Sequence, residues 1–146
     1  MKIALGADHA GFPLKQSLFQ WLSEEGRQAA DVGTFSAESC DYPHFAGLVA
    51  QEVLAGRADR GILICGTGVG MAMAANRFNG IRAANCTGLF CARMSREHND
   101  SNVLALGAWV VGLGLAREIV RTWLMTPFEG GRHQPRLDLL DHLSPP

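Results

Sequence analysis

A chain of 146 residues with 47% hydrophobic content carries enough apolar side chains for one compact domain with a single core. Its formal net charge of -1 gives no general attraction to nucleic acid or to an anionic membrane surface. No apolar run approaches the roughly 20 residues of a membrane-spanning helix, and Asp8 and His9 arrive too early for a secretory leader, so a soluble cytoplasmic protein is expected.

Strand and helix signals alternate from the start. Lys2 to Ala7 reads as a short buried strand, and Pro13 opens a helix that ends near Gly26, with Leu14, Leu18, Trp21 and Leu22 at helical spacing. Gln28 to Gly33 is a weaker strand. Pro43 begins a second helix whose apolar face is Phe45, Leu48, Val49, Val53 and Leu54. Arg60 to Cys65 is the third strand, followed by a glycine-spaced turn and an Ala- and Met-rich helix to about Arg77. Arg82 to Cys86 reads as a fourth strand, Leu89 to Arg96 as a short helix, and Asn102 to Gly107 as a fifth strand. An amphipathic helix covers Leu113 to Met125, and a last one, Arg132 to Leu143, carries the stripe Leu137, Leu140 and Leu143.

Such alternation predicts an α/β fold: a parallel sheet of about five strands with helices on both faces, in three layers and one domain over residues 1–146. Ligands gather beyond the carboxyl ends of such strands. Asp8 and His9 follow the first strand, Asp41 and Tyr42 lie in the loop after the second, and Cys65 to Gly70 follow the third. Glu97 to Asp100 fall just before the fifth.

Cys65 is the residue whose surroundings ask for chemistry. It stands where a strand meets a glycine turn and a helix start, so its sulfur faces main-chain N–H donors that favour a thiolate and can hold an oxyanion. Cys40, Cys86 and Cys91 show no zinc-ribbon or thioredoxin spacing and read as reduced, buried or half-buried fillers. Gly66, Gly68 and Gly70 alternate, which opens the backbone to a ligand. No Lys-Ser/Thr pair follows, so the turn is not a nucleotide loop, and its third glycine falls one place early for a dinucleotide fingerprint. A tight strand–helix connection explains the glycines almost as well as an anion cradle does.

Other polar groups carry two readings each. Asp8 serves equally as a helix cap, and His9 as a phosphate or sugar ligand. His98 sits in SREHNDSN, a solvated turn unless that loop overlies Cys65. Arg132, His133 and Arg136 cluster at a helix start, where cations oppose the dipole, and the first and last share a face suited to a dianionic phosphate. No metal-ligand spacing is present, and neither metal nor cofactor is expected.

As a set, GADHAGF at 6–12, DYPH at 41–44, GILICGTGVG at 61–70, SREHNDSNVLALG at 95–107 and EGGRHQPR at 129–136 resemble the type B ribose-5-phosphate isomerases and related sugar-phosphate isomerases. The resemblance implies a Rossmann-like sheet, cofactor-free interconversion of an aldose phosphate and a ketose phosphate, and a homodimer with active sites between subunits, dimer against tetramer left open. The final helix would then pack on the partner. By position, Cys65 would be the base, supported by Thr67, and the main-chain N–H groups of Gly66, Thr67, Gly68, Val69 and Gly70 would stabilise an enediolate. His98 would open the sugar ring with help from Asp8; Tyr42 and Asn99 would contact the sugar; His9, Arg132 and Arg136 would hold the phosphate.

One position departs from the pattern: the family commonly has Arg after the fifth strand, where LALGAWVVG places Trp109. That change points to weaker phosphate capture or to tolerance of other sugars. The competing readings are the same chemistry on allose 6-phosphate, galactose 6-phosphate or an unphosphorylated sugar, a Cys–His hydrolase, and a non-catalytic sugar-phosphate sensor.

Overall fold

In the computed structural model, which describes residues 1–143, the strands are β1 (Lys2–Ala7), β2 (Gln28–Asp31), β3 (Arg60–Cys65), β4 (Ala83–Asn85) and β5 (Val103–Gly107). The helices are α1 (Phe12–Glu24), α2 (Tyr42–Leu54), α3 (Val69–Ala75), α4 (Leu89–Glu97), α5 (Leu113–Met125) and α6 (Gln134–Asp141), with a 3-10 turn at Gly131–His133. All five strands are parallel, in the order β2-β1-β3-β5-β4. The chain therefore grows outward from β1 to one side and then crosses to the other. The crevice between the ends of β1 and β3 is the switch point where such sheets bind ligands.

The strand period of two residues splits the apolar side chains between two cores rather than the single one expected. Ile3, Leu5, Ile62, Ile64, Leu104 and Leu106 face α1 and α5, where Leu18, Leu22, Ile119 and Trp123 are fully buried. Ala4, Leu63, Val103 and Ala105 face α2 and α3, meeting Val49, Ala50 and Met71. Small residues dominate this second face, so its helices approach the sheet closely. Burial of each large side chain contributes about 1.5–3 kcal/mol. Among the described residues no helix is long and apolar enough to cross a membrane.

Several boundaries differ from the sequence expectation. The second strand stops at Asp31, whose carboxylate accepts the Gly33 N–H at 2.9 Å and turns the chain out of the sheet. Helix α3 ends at Ala75, since Asn76 swings out to bond both the N–H and the carbonyl of Ala83. Tyr42 is no loop residue but opens α2, ahead of Pro43. The final helix begins only at Gln134, and of its stripe Leu137 is buried while Leu140 and Leu143 are exposed.

Candidate active site

Cys65 is the last residue of β3, and Asp8 follows β1 directly, its N–H donating to the Ile64 carbonyl at 3.2 Å. The sulfur is almost buried and accepts the Gly68 N–H at 3.1 Å. Only glycine serves at position 68: φ is +82°, and a Cβ there would lie 2.3 Å from Asn85 Oδ1. The left-handed turn aims that amide back at the sulfur instead of outward. Helix α3 is seven residues long, so the turn's own amides rather than a long macrodipole supply the positive field.

Among the described residues the amides of Gly66, Thr67 and Gly70 have no protein acceptor, whereas the Val69 N–H donates to Thr67 Oγ1 at 3.4 Å. Open donors beside a near-buried sulfur are what an oxyanion requires. The Thr67 hydroxyl thus accepts within the turn, and no hydrogen bond joins it to Cys65.

Asp8, buried, uses Oδ1 to accept the Gly11 N–H at 2.9 Å, the cap-like role its position suggested. Cys40 donates its N–H to His9 Nδ1 at 3.2 Å, which ties His9 to the loop after β2. The resulting cleft has a volume of about 210 Å³ and is lined by Asp8, His9, Tyr42, Cys65, Gly66, Thr67 and Gly70, all expected, together with Trp109. Tyr42 lies over Gly70 and Trp109 over Gly66, their ring atoms 2.9 Å and 2.6 Å from where a Cβ would stand. Trp109 is 76% exposed, an open aromatic wall beside the sulfur.

The remaining expected residues lie elsewhere. β5 runs in register with β3, Val103 beside Gly61 and Gly107 beside Cys65. His98 closes α4 ahead of β5, so it sits at the amino edge of the sheet, a strand length of about 13 Å from the cleft. It does not overlie Cys65 of its own chain. Its ring stacks on His133, centroids 4.2 Å apart and planes at 16°. Burial, then the charges of His98 and Arg132, hold the buried His133 imidazole below its usual value, against the pull of Glu129. Asn99 lines a larger groove of about 910 Å³, between the α3–β4 connection and α6. Arg132 and Arg136 are exposed. That groove has no thiol in its lining, which makes the smaller cleft, with Cys65 beside its glycine turn, the candidate site.

Sequence reasoning missed Asn85, whose side chain backs the turn by donating Nδ2–H to the Thr67 carbonyl at 3.4 Å, and Glu129, which stands 3.5 Å from His133. Position in a short edge strand and in a loop gave no signal for either. All four cysteines are free, but Cys91 is exposed rather than a filler. Burial raises the Cys86 thiol to about 11, partly offset by a Ser95 hydrogen bond, and leaves it inert.

Comparison with known proteins agrees along nearly the whole chain. A family model described as Ribose/Galactose Isomerase matches residues 3–140. Ribose-5-phosphate isomerase B of Escherichia coli is 54% identical over 139 residues, 95% of this chain and 93% of that protein. The D-erythrulose-4-phosphate isomerase of Pectobacterium atrosepticum is 40% identical, over 97% of this chain and 94% of its own. The structure of Clostridium thermocellum ribose-5-phosphate isomerase B superposes with a TM-score of 0.96 at 53% identity, covering 97% of this chain and 95% of that one. A parallel sheet with a thiol-lined cleft at its switch point, and likeness of this extent, together make the chain a member of the ribose/galactose isomerase family, on its type B ribose-5-phosphate isomerase branch, and an isomerase.

Proposed function

We propose that the protein interconverts ribose 5-phosphate and ribulose 5-phosphate through an enediolate, with Cys65 as the base that moves a proton between the two carbons. The observation that carries this reading is the pairing of the Cys65 sulfur with open N–H groups on Gly66, Thr67 and Gly70 in one cleft. Removing a proton beside a carbonyl puts negative charge on oxygen; fixed donors hold that charge while the base keeps the proton. Asp8 and His9 at the cleft's rim are positioned to bind the sugar and its phosphate.

Ring opening needs a second acid/base, and His98 is too far from Cys65 within one chain to supply it. A homodimer in which the partner's His98, Asn99, Arg132 and Arg136 face this cleft meets the need. Exposed Val69, Met73, Phe90, Trp109 and Val110 on and around α3 and α4 give such a pairing apolar surface.

A second sugar remains in play because of Trp109. An exposed indole over Gly66 offers a flat apolar wall to a sugar face where the family pattern has a guanidinium. The relative that acts on D-erythrulose 4-phosphate shows that the family's substrates vary.

The deciding experiment follows ribose 5-phosphate, other sugar phosphates and free sugars by proton NMR in heavy water, with Cys65→Ala alongside. Turnover fastest on ribose 5-phosphate and lost in Cys65→Ala, with binding kept, is the expected result. Full activity in Cys65→Ala ends the assignment of the base. A monomer at working concentration by light scattering, still fully active, ends the shared site.

A further inference from the structure

Three ligand-type side chains converge at the amino edge of the sheet, away from the Cys65 cleft. His98 closes α4, Glu129 lies in the loop after α5, and His133 sits in the 3-10 turn; their donor atoms all fall within 4.8 Å of one another. Main-chain bonds fix the segments that carry them: the Glu129 N–H donates to the Glu97 carbonyl at 3.0 Å and the His133 N–H to the Gly130 carbonyl at 3.0 Å.

His133 is the anchor. It is 5% exposed, and its Nε2 is buried with no hydrogen-bond partner among the described residues. Native interiors seldom leave a polar atom in that state, so an orphan of this kind points to something that completes it. The atom faces the cluster, 3.5 Å from the Glu129 carboxylate and without a hydrogen bond to it.

We propose that His98, Glu129 and His133 form a binding site for a divalent transition-metal ion of the zinc class, through two imidazole nitrogens and one carboxylate oxygen with a fourth position open to water. Two nitrogens and one oxygen suit that class of ion, and magnesium or calcium would prefer more oxygen ligands. Bonds of about 2.0–2.1 Å in a tetrahedron bring donor atoms to roughly 3.3 Å apart. The half-buried His98 and exposed Glu129 must therefore rotate toward the fixed His133, which opens the ring stack. Exposed Arg132, one residue from His133, repels a dication and limits affinity, so the site fills in response to metal supply rather than permanently.

Metal binding stands on this cluster alone; its effect on turnover rests on the role proposed for His98, whose lone pair the ion would occupy. The test titrates the purified full-length protein with cobalt(II) as a spectroscopic stand-in for zinc. Visible bands of four-coordinate cobalt, without the near-ultraviolet band of a thiolate–cobalt bond, are expected. His133→Phe keeps an aromatic ring in the stack and should abolish the bands, and Glu129→Gln should weaken binding by roughly tenfold or more. Circular dichroism checks that both variants are folded. A thiolate band, which would locate the ion at Cys65 or Cys91, or unchanged spectra in folded His133→Phe, overturns the site. In turnover assays zinc should inhibit the wild type and spare Glu129→Gln, and equal inhibition of the two also overturns it. Cobalt bound as expected while zinc leaves turnover intact would keep the cation site and remove His98 from ring opening.

Discussion

At the carboxyl edge of the sheet the candidate groups are main-chain amides around one sulfur, and several of those amides have no acceptor among the described residues. At the amino edge they are side chains, and the buried Arg96, Ser95, Ser101 and Trp123 among them are satisfied. Arg96, buried, donates to the Ser101 carbonyl at 2.5 Å, Asp100 Oδ1 at 2.8 Å and the Thr126 carbonyl at 3.2 Å. Trp123 donates Nε1–H to Ser101 Oγ at 2.7 Å, and that hydroxyl donates to Ser95 Oγ at 3.0 Å. Closed hydrogen-bond networks hold a fold in one state; open donors wait for a ligand. Among the described residues the buried His133 nitrogen at that edge has no such partner, which leaves it free for a ligand.

The largest effect should come from breaking the closed region. Arg96→Ala strips three acceptors of their donor and leaves Asp100 with only Arg82, at 2.9 Å. Asp100 keeps partial solvent access, so the loss is set at the lower end of the buried-pair range, about 3 kcal/mol. Chemical denaturation measures it, and a loss below about 1 kcal/mol would show the network to be incidental.

Gly11→Ala tests the open edge. A Cβ at position 11 would lie 2.3 Å from the Ile64 carbonyl oxygen and 2.5 Å from its carbon, main-chain atoms that cannot rotate away. Overpacking of this kind costs about 1–3 kcal/mol, and the strain must move the Asp8 loop off β3 and lower turnover. The contrast is Gly66→Ala, where the three atoms nearest the new Cβ all belong to the exposed Trp109 ring. Its defect should be milder and should vanish in combination with Trp109→Ala. If the double variant is no better than Gly66→Ala alone, the ring does not set the glycine requirement.

Trp109 then sharpens the comparison from the substrate side. A charge-assisted hydrogen bond to phosphate contributes about 1.5–3 kcal/mol, so Trp109→Arg should lower the Michaelis constant for ribose 5-phosphate by roughly tenfold or more. Free sugars should gain nothing. An unchanged constant for the phosphorylated substrate would mean that position 109 does not limit phosphate binding.

The carboxyl edge was readable in advance because its parts are local in sequence: a strand's apolar run, then glycines at alternate positions, then a helix. Cys65, Gly66, Thr67 and Gly70 needed no distant contact to be found, and Asp8 and Tyr42 joined them through the general rule for parallel sheets. The amino edge depends on packing between segments far apart in the chain. His98 and His133 meet only because the α5–α6 loop folds back on α4, and no pattern in SREHNDSN or EGGRHQPR encodes that approach. Element ends were missed where a side chain intervenes, as Asp31 does after β2 and Asn76 after α3. Nor does spacing reveal that the Thr67 hydroxyl accepts the Val69 N–H. Periodicity sees faces, and side-chain bonds that end elements lie outside it.

The smallest expected effect concerns two thiols in different surroundings. Burial raises Cys86 from 9.0 to about 11, so in the folded state it stays protonated where an unfolded thiol ionises. As pH climbs past 9 the unfolded chain releases this proton first and binds fewer protons than the native state, so stability falls with rising pH until the folded value is passed. By pH 10 the loss should be about 1.4 kcal/mol, the worth of one pKa unit. The quantity to compare is the slope of stability against pH in wild type and in Cys86→Ala. The variant should start less stable, from the cavity left behind, and decline less steeply above pH 9. Parallel slopes would mean that Cys86 is open to solvent at high pH, and iodoacetamide would then modify it alongside the exposed Cys91 instead of long after it.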